Sequence, residues 1–260
     1  MNPLISIIVP TYNRRWLLPR ALSSLLNQSY QDIEVIVVND CGENVQDVID
    51  QYDDKRIRYF QNEKNLGLAG TRNVALKNCR GKFISLLDDD DIYLKYAIEF
   101  RVYMLNKLNA DIVYTRSLLD KWQKTSSGYT SIGKSLYWDS KFSRDLLLVQ
   151  NIAPCCNVMF SKSSWENTNY WFDESLTTTE DHDFWIALSR KHNFENLEIV
   201  DTECSQREDN SQMTGSRDFS KNWIKVFKKW RHTAQNLEWV TQSQNNILKR
   251  VGINPEDYNL

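Results

Sequence analysis

Short apolar runs alternate with helix-spaced apolar positions through the first hundred residues. Residues 5–10 (ISIIVP) are apolar almost without interruption, which predicts a strand buried on both faces. Leu17, Leu18, Ala21, Leu22, Leu25 and Leu26 then recur at helical spacing and predict an amphipathic helix over 14–27. The same succession follows twice: a strand at 33–38 and a helix at 45–52, then a short strand at 57–60 and a helix at 71–78 entered through Gly67-Leu68-Ala69-Gly70. A fourth strand is expected at 83–87. Strands that alternate with helices of this length imply crossover units and a mostly parallel sheet. The first half therefore reads as an α/β domain of the nucleotide-binding type. Past Asp111 the regularity weakens. Strands are expected at 112–115 and 158–161 and a helix at 180–192, while the polar, glycine-containing stretch 123–134 reads as a loop. Residues 218–250 turn long, polar and helical, with Trp223, Phe227, Trp230 and Trp239 along them.

Composition narrows this picture without redirecting it. The 260 residues are 41% hydrophobic and 25% charged, as in a globular chain able to bury a sizeable core. That length suits one large domain, or a domain with a helical appendage. A net charge of -2 argues against a general nucleic-acid binder, which needs a surplus of Lys and Arg. No stretch approaches the ~18 apolar residues of a membrane span. Met1-Asn2-Pro3 leads straight into the first strand, with no pattern of a signal peptide. Cys41, Cys79, Cys155, Cys156 and Cys204 are scattered and suggest neither a disulfide framework nor a zinc pattern, so a reducing cytosol fits. The Cys155-Cys156 pair reads as the start of a buried strand.

The chemistry concentrates at strand ends. Asp88, Asp89, Asp90 and Asp91 directly follow the fourth predicted strand, which delivers them to one edge of the sheet. Four like charges there call for a cation, and a hard divalent ion held by one or two carboxylates and a substrate's phosphates answers that need. Pro10, Thr11, Tyr12 and Arg14 close the first strand with groups that can stack on and hydrogen-bond a flat base. They also suit a plain turn and helix cap. Asp40 ends the second strand, where a carboxylate can accept from a base imide or ribose hydroxyl, or simply cap backbone. Arg72 sits at a glycine-punctuated helix entry able to bind an anion. Glu180 and Asp181 open a helix, which the helix dipole favours in any case. One of them could equally face the site as a general base, ionised at neutral pH without special activation.

Taken in order, Ser6 to Arg14, Val37-Val38-Asn39-Asp40, Asn65 to Asn73, Leu87 to Asp91 and Glu180-Asp181 match a known pattern. The chain resembles the family-2 glycosyltransferases, inverting enzymes of the GT-A fold, over about residues 4–215. The resemblance implies a Rossmann-like nucleotide-binding mixed sheet flanked by helices: a GT-A domain over 1–215, with a nucleotide-sugar half at 1–115 and an acceptor half at 116–215, and a C-terminal helical extension over 216–260. It implies that Thr11, Tyr12 and Asp40 line the base and ribose pocket, with Pro10 and Arg14 also at the donor. Arg72 would stand near the diphosphate, Asp88 near the ribose with Asp89 beside it, and Asp90 would coordinate Mn²⁺ or Mg²⁺. Asp181 looks like the catalytic base, with Glu180 the next candidate. The chain departs from the family pattern at Asn39 and Cys41-Gly42, and in lacking a His in 206–210.

The activity implied is transfer of a sugar from a nucleoside diphosphate donor, UDP first, to an acceptor hydroxyl in surface polysaccharide or glycoconjugate synthesis. The acceptor would be a carbohydrate or a lipid-linked one. A sugar-nucleotide pyrophosphorylase is a rival, but its glycine-rich string would follow the first strand. A catalytically silent carbohydrate-binding protein on the same fold is another. Trp122, Tyr129, Tyr137, Trp138 and Trp171 are candidates to stack on acceptor sugars, or to pack the core. Lys221, Lys225, Lys228, Lys229 and Arg231 lie among the aromatics of 218–232, as in a helix at a lipid interface. Docking of that helix on its own domain, or a dimer contact, is the stronger expectation. The protein is expected in the cytoplasm, with peripheral contact at the inner membrane face as an option.

Overall fold

The computed structural model of the chain describes residues 2–126, 128–137, 140–208 and 219–258. The first half follows the expected alternation: β1 (Ile5–Thr11), α1 (Leu18–Leu26), β2 (Ile33–Asn39), α2 (Gln46–Asp50), β3 (Ile57–Gln61), α3 (Gly67–Asn78) and β4 (Phe83–Leu86). Then come β5 (Ile92–Tyr93), α4 (Ala97–Leu108), β6 (Ile112–Thr125), β7 (Gly128–Tyr137), α5 (Arg144–Val149), β8 (Val158–Ser161), α6 (Lys162–Thr168), α7 (Glu180–Ser189), β9 (Phe194–Arg207), α8 (Phe219–Trp230) and α9 (Leu237–Arg250).

All share one sheet of order β3-β2-β1-β4-β8-β6-β9-β5, with β7 paired to β6. The first four strands are mutually parallel, whereas β8 runs antiparallel to both β4 and β6, so the sheet is mixed. Alternate residues of β1 and β2 face opposite layers. Ile8, Ile36 and Val38 pack with α3, α5 and α7, while Ile7, Val9, Val35 and Val37 pack with α1, α2 and α4. Chain order reverses between β1 and β4, and at such a switch point loops diverge and leave a crevice at the carboxyl ends of the strands.

Two expectations need correction. Residues 123–134 are not a loop: β6 and β7 form a long antiparallel hairpin with a register shift at Lys121/Trp122. Most of β7 is exposed, so its pairing is backbone-driven and leaves no apolar alternation to read. Cys155 and Cys156 lie in a single turn of 3₁₀ helix just ahead of β8, not in the strand. The helical tail consists of two helices, broken at 231–236, where the Asn236 side chain accepts the Trp239 N–H and starts α9.

The tail docks on the domain. Val226 and Val240 enter the main core, and Ile224, Phe227 and Leu248 pack the two helices together. Asn222 donates to Thr177 and Thr178 at 2.9 Å each, and Trp230 Nε1 donates to Asp183 at 2.7 Å. Lys225 and Lys229 reach the Ser175 carbonyl at 2.8 Å and Asp173 at 2.7 Å. The expected boundary at 215/216 lies outside the described residues. Among those described, no helix is long and apolar enough to cross a membrane.

One buried charge joins the two halves. Arg101 of α4 is fully buried and donates to both oxygens of Asp201 on β9 at 2.7 Å each. It also reaches Ser85 of β4, Tyr93 of β5 and the Cys156 carbonyl. Removing one member of a buried pair strands the other without compensation. Arg101→Ala should therefore cost roughly 3–5 kcal/mol, read as a lower urea midpoint. A loss below about 1 kcal/mol, the worth of an exposed pair, would mean Asp201 is better solvated than this packing implies.

Candidate active site

The crevice opens into a cavity of about 1450 Å³ at the ends of β1, β2 and β4. Pro10, Thr11, Tyr12, Arg14, Asp40, Arg72, Asp88, Asp89, Asp90 and Asp181 all line it, so the donor, metal and base candidates meet in one place. They converge because each ends a strand or begins a helix at the same edge of the sheet.

The acid loop is held by arginines. Arg14 Nη1 contacts Asp89 at 3.2 Å and Asp90 at 3.4 Å, and Arg207 of β9 reaches Asp90 at 3.0 Å. Thr11 donates to Asp89 at 2.7 Å. Even so, burial and then repulsion from Asp90 push the Asp89 carboxyl up to about 7. Arg72 is fully buried and bridges two elements, donating to Asp88 at 2.8 Å and to Glu180 of α7. Burial outweighs that bridge and pushes the Glu180 carboxyl up to about 7.

Asp181, next on α7, is half-buried and lines the cavity. Its oxygens accept from Asn151 Nδ2 at 2.9 Å and the His182 backbone N–H at 2.7 Å. Burial raises its pKa above the ordinary carboxylate value, against the pull of Arg72. Thr179, just before α7, has a left-handed backbone (φ 63°), an uncommon and strained state for a β-branched residue. It turns the chain so that α7 begins at the cavity wall.

Asp40 does the capping that its position allowed. Its oxygens accept from Asn62 Nδ2 (2.8 Å) and the backbone N–H groups of Leu66 (2.7 Å) and Gly67 (2.9 Å), holding the entry to α3. Gly67 has φ +74°, which favours glycine there. Tyr12 is about half exposed at the rim.

Three contributors were not legible as site residues. Asn151 follows α5 in an irregular stretch with no motif around it. Cys155 accepts from Arg72 at 3.1 Å and points at Asp88, 3.5 Å away. Arg207 lies in the segment noted for its missing His, where Asp209 and Asn210 fall outside the described residues. The hairpin roofs one side of the cavity: Tyr129 stacks on Trp16 with centroids 5.2 Å apart and planes 3° from parallel. Tyr137 also lines it. Trp122 lies under the Arg20 guanidinium and Trp171 packs edge-on to Trp165. Trp138 lies outside the described residues.

The chain has known relatives. A Rickettsia typhi protein named an uncharacterized glycosyltransferase is 31% identical over 260 residues, covering 97% of this chain and 80% of its own. A Campylobacter jejuni GalNAc(5)-diNAcBac-PP-undecaprenol beta-1,3-glucosyltransferase is 33% identical over 196 residues, 74% of this chain and 62% of that one. The chain spans only 28% and 32% of the length of two further relatives, from Rickettsia bellii and Rickettsia felis. Among solved structures, S. aureus TarS 1-349 in complex with UDP-GlcNAc superposes with a TM-score of 0.70 at 22% identity, over 95% of this chain and 71% of that one. The mannosyltransferase PcManGT from Pyrobaculum calidifontis, in complex with GDP-Man and Mn²⁺, superposes at 0.65 and 13% identity, over 97% and 76%. These likenesses show the GT-A fold. The model of glycosyl transferase family 2 matches residues 6–168, and with the relatives above it shows that this chain belongs to that family.

Proposed function

We propose that the chain is a divalent-cation-dependent, inverting glycosyltransferase that moves a sugar from a nucleoside diphosphate donor, UDP first, to an acceptor hydroxyl. The observation that carries this reading is Asp181, a half-buried carboxylate anchored by Asn151 and the His182 N–H in the same cavity as Asp88 to Asp90. The cavity, at about 1450 Å³, exceeds the roughly 300–1,000 Å³ usual for one small ligand, which suits a donor and an acceptor together. The names of the Campylobacter relative and of the TarS complex support a lipid-linked or carbohydrate acceptor and a UDP donor. Surface polysaccharide or glycoconjugate synthesis at the cytoplasmic membrane face agrees with that.

Thr11, Tyr12 and Asp40 receive the base and ribose in this scheme, with Pro10 shaping the strand end. Arg14, partly exposed, faces the diphosphate. Arg72 acts from behind, because its guanidinium is already engaged by Asp88 and Glu180. The acid loop fits a hard divalent ion: it gathers several carboxylate oxygens at one cavity edge, and Asp88 remains partly exposed. Asp90, with Asp88 beside it, would hold Mg²⁺ or Mn²⁺, which when bound offsets charge developing on the diphosphate. Asp181 takes the proton of the acceptor hydroxyl as its oxygen attacks the anomeric carbon. The bond to the diphosphate breaks on the opposite face, so a single base suffices and the centre inverts. Residues 1–115 serve the donor, 116–215 the acceptor through the β6–β7 hairpin, and 216–260 brace the wall.

Three outcomes test this. Asp90→Ala should abolish Mn²⁺-stimulated donor binding and turnover; undiminished activity of the variant in EDTA would end the metal assignment. Asp181→Asn should bind donor normally and lose roughly 10²–10⁴-fold in transfer. A collapse of donor affinity with transfer intact at saturating donor would make Asp181 a binding residue instead, and no nucleotide release from any donor would favour a silent binder. Because Asp181 must be ionised and its pKa is raised, kcat should fall with decreasing pH through a midpoint above the ordinary value of about 4. An acid limb at or below about 4 would mean that burial does not govern Asp181.

A further inference from the structure

Behind the acid loop lies a second set of ligand-type side chains that the transfer chemistry leaves unused. Cys156, in the turn before β8, and Cys204, on β9, bring their sulfurs to 3.3 Å. Asp91 completes the group: a carboxylate oxygen and the two sulfurs lie within 4.8 Å of one another. All three residues are more than nine-tenths buried, yet all three border the cavity. Asp91 Oδ1 accepts the Ser205 backbone N–H at 2.9 Å, and among the described residues no cationic side chain pairs with it. So two thiols and an uncompensated acid converge where an ion can reach them.

We propose that Asp91, Cys156 and Cys204 form a second cation site, for a thiophilic divalent ion of the Zn²⁺ type. Its donor set is chemically distinct from the all-oxygen set around Asp90. Geometry favours this over a disulfide. Bonds of about 2.3 Å at tetrahedral angles hold two sulfurs roughly 3.8 Å apart, so the pair need open by only about half an ångström. A disulfide, at about 2.05 Å, requires closing by more than an ångström. Binding involves no electron transfer: the ion displaces the two thiol protons, which leave through the cavity, and takes the Asp91 carboxylate as its third ligand. Three protein ligands leave a fourth position for water or a substrate oxygen. The site also ties the acid loop to β9, where Ser205 Oγ donates to the Asp90 carbonyl at 2.5 Å and Arg207 holds the Asp90 side chain. An ion there fixes the backbone behind Asp90.

The test titrates Cd²⁺, a spectroscopic stand-in for Zn²⁺, into the whole reduced protein and follows the ultraviolet thiolate-to-metal band. The band should saturate at one equivalent and persist in Cys155→Ser. It should vanish in Cys156→Ser and in Cys204→Ser, and Asp91→Asn should bind at least about tenfold more weakly. A parallel measurement needs no variant. Zn²⁺ should raise the Tm of the native protein and protect Cys156 and Cys204, but not exposed Cys41, from alkylation mapped by mass spectrometry. The proposal is overturned by the lack of a saturating band, by a band indifferent to Cys156→Ser and Cys204→Ser, or by unchanged alkylation with Zn²⁺. Recovery of the two cysteines as a disulfide from gently oxidised protein that shows no Zn²⁺ protection would also reject it. None of these readouts depends on sugar transfer, so the outcome stands apart from the assigned activity.

Discussion

The site is organised around the cost of gathering carboxylates at one sheet edge. Asp88 to Asp91, Glu180 and Asp181 would repel one another and lose hydration without compensation, so the fold brings arginines to them from distant segments. Arg14 arrives from the end of β1, Arg72 from α3 and Arg207 from β9. Arg72 matters most for geometry, because it joins the β4 end to the start of α7, its bond to Glu180 spanning 108 residues of sequence. Glu180 is thereby fixed, and its neighbour Asp181 is presented to the cavity. Compensation is incomplete, as the raised carboxyls of Asp89 and Glu180 show.

That partial compensation connects stability to function. Fully satisfied carboxylates would have little left with which to hold a cation, whereas crowded ones favour it strongly. The same logic extends to Asp91, which has two thiols beside it in place of an arginine. Around this charged floor the walls are apolar or aromatic. The Trp16–Tyr129 stack closes one side, and Trp223 and Ile247 of the docked tail close another.

Arg101 plays the corresponding part beneath the cavity, among the strands. Its bonds to β4, β5, the turn before β8 and β9 hold the antiparallel half of the sheet against the parallel half. The cavity borders these elements, Cys156 among its lining, so its shape depends on this buried ion pair.

The parallel half was legible because its strands are buried on both faces. Every residue of β1 and β2 is buried, and such strands must be written as continuous apolar runs. Strand-end residues were legible as a site for a related reason: in an open α/β sheet, strand ends converge whatever the helices do. The β6–β7 hairpin was hidden because its outer strand is exposed and needs no apolar pattern to pair. Docking of the tail was expected from its aromatics, but its partners were not legible, because Lys225 and Lys229 look the same in solvent, on lipid or bonded to Ser175 and Asp173. Asn151 beside Asp181, Arg72 between Asp88 and Glu180, and Cys156 against Cys204 depend on contacts across 30, 108 and 48 residues. Local sequence determines which residues end a strand and which can carry charge. Which charge meets which was decided only by the tertiary structure, since burial and distance, which set each pairing, exist only once the chain has folded.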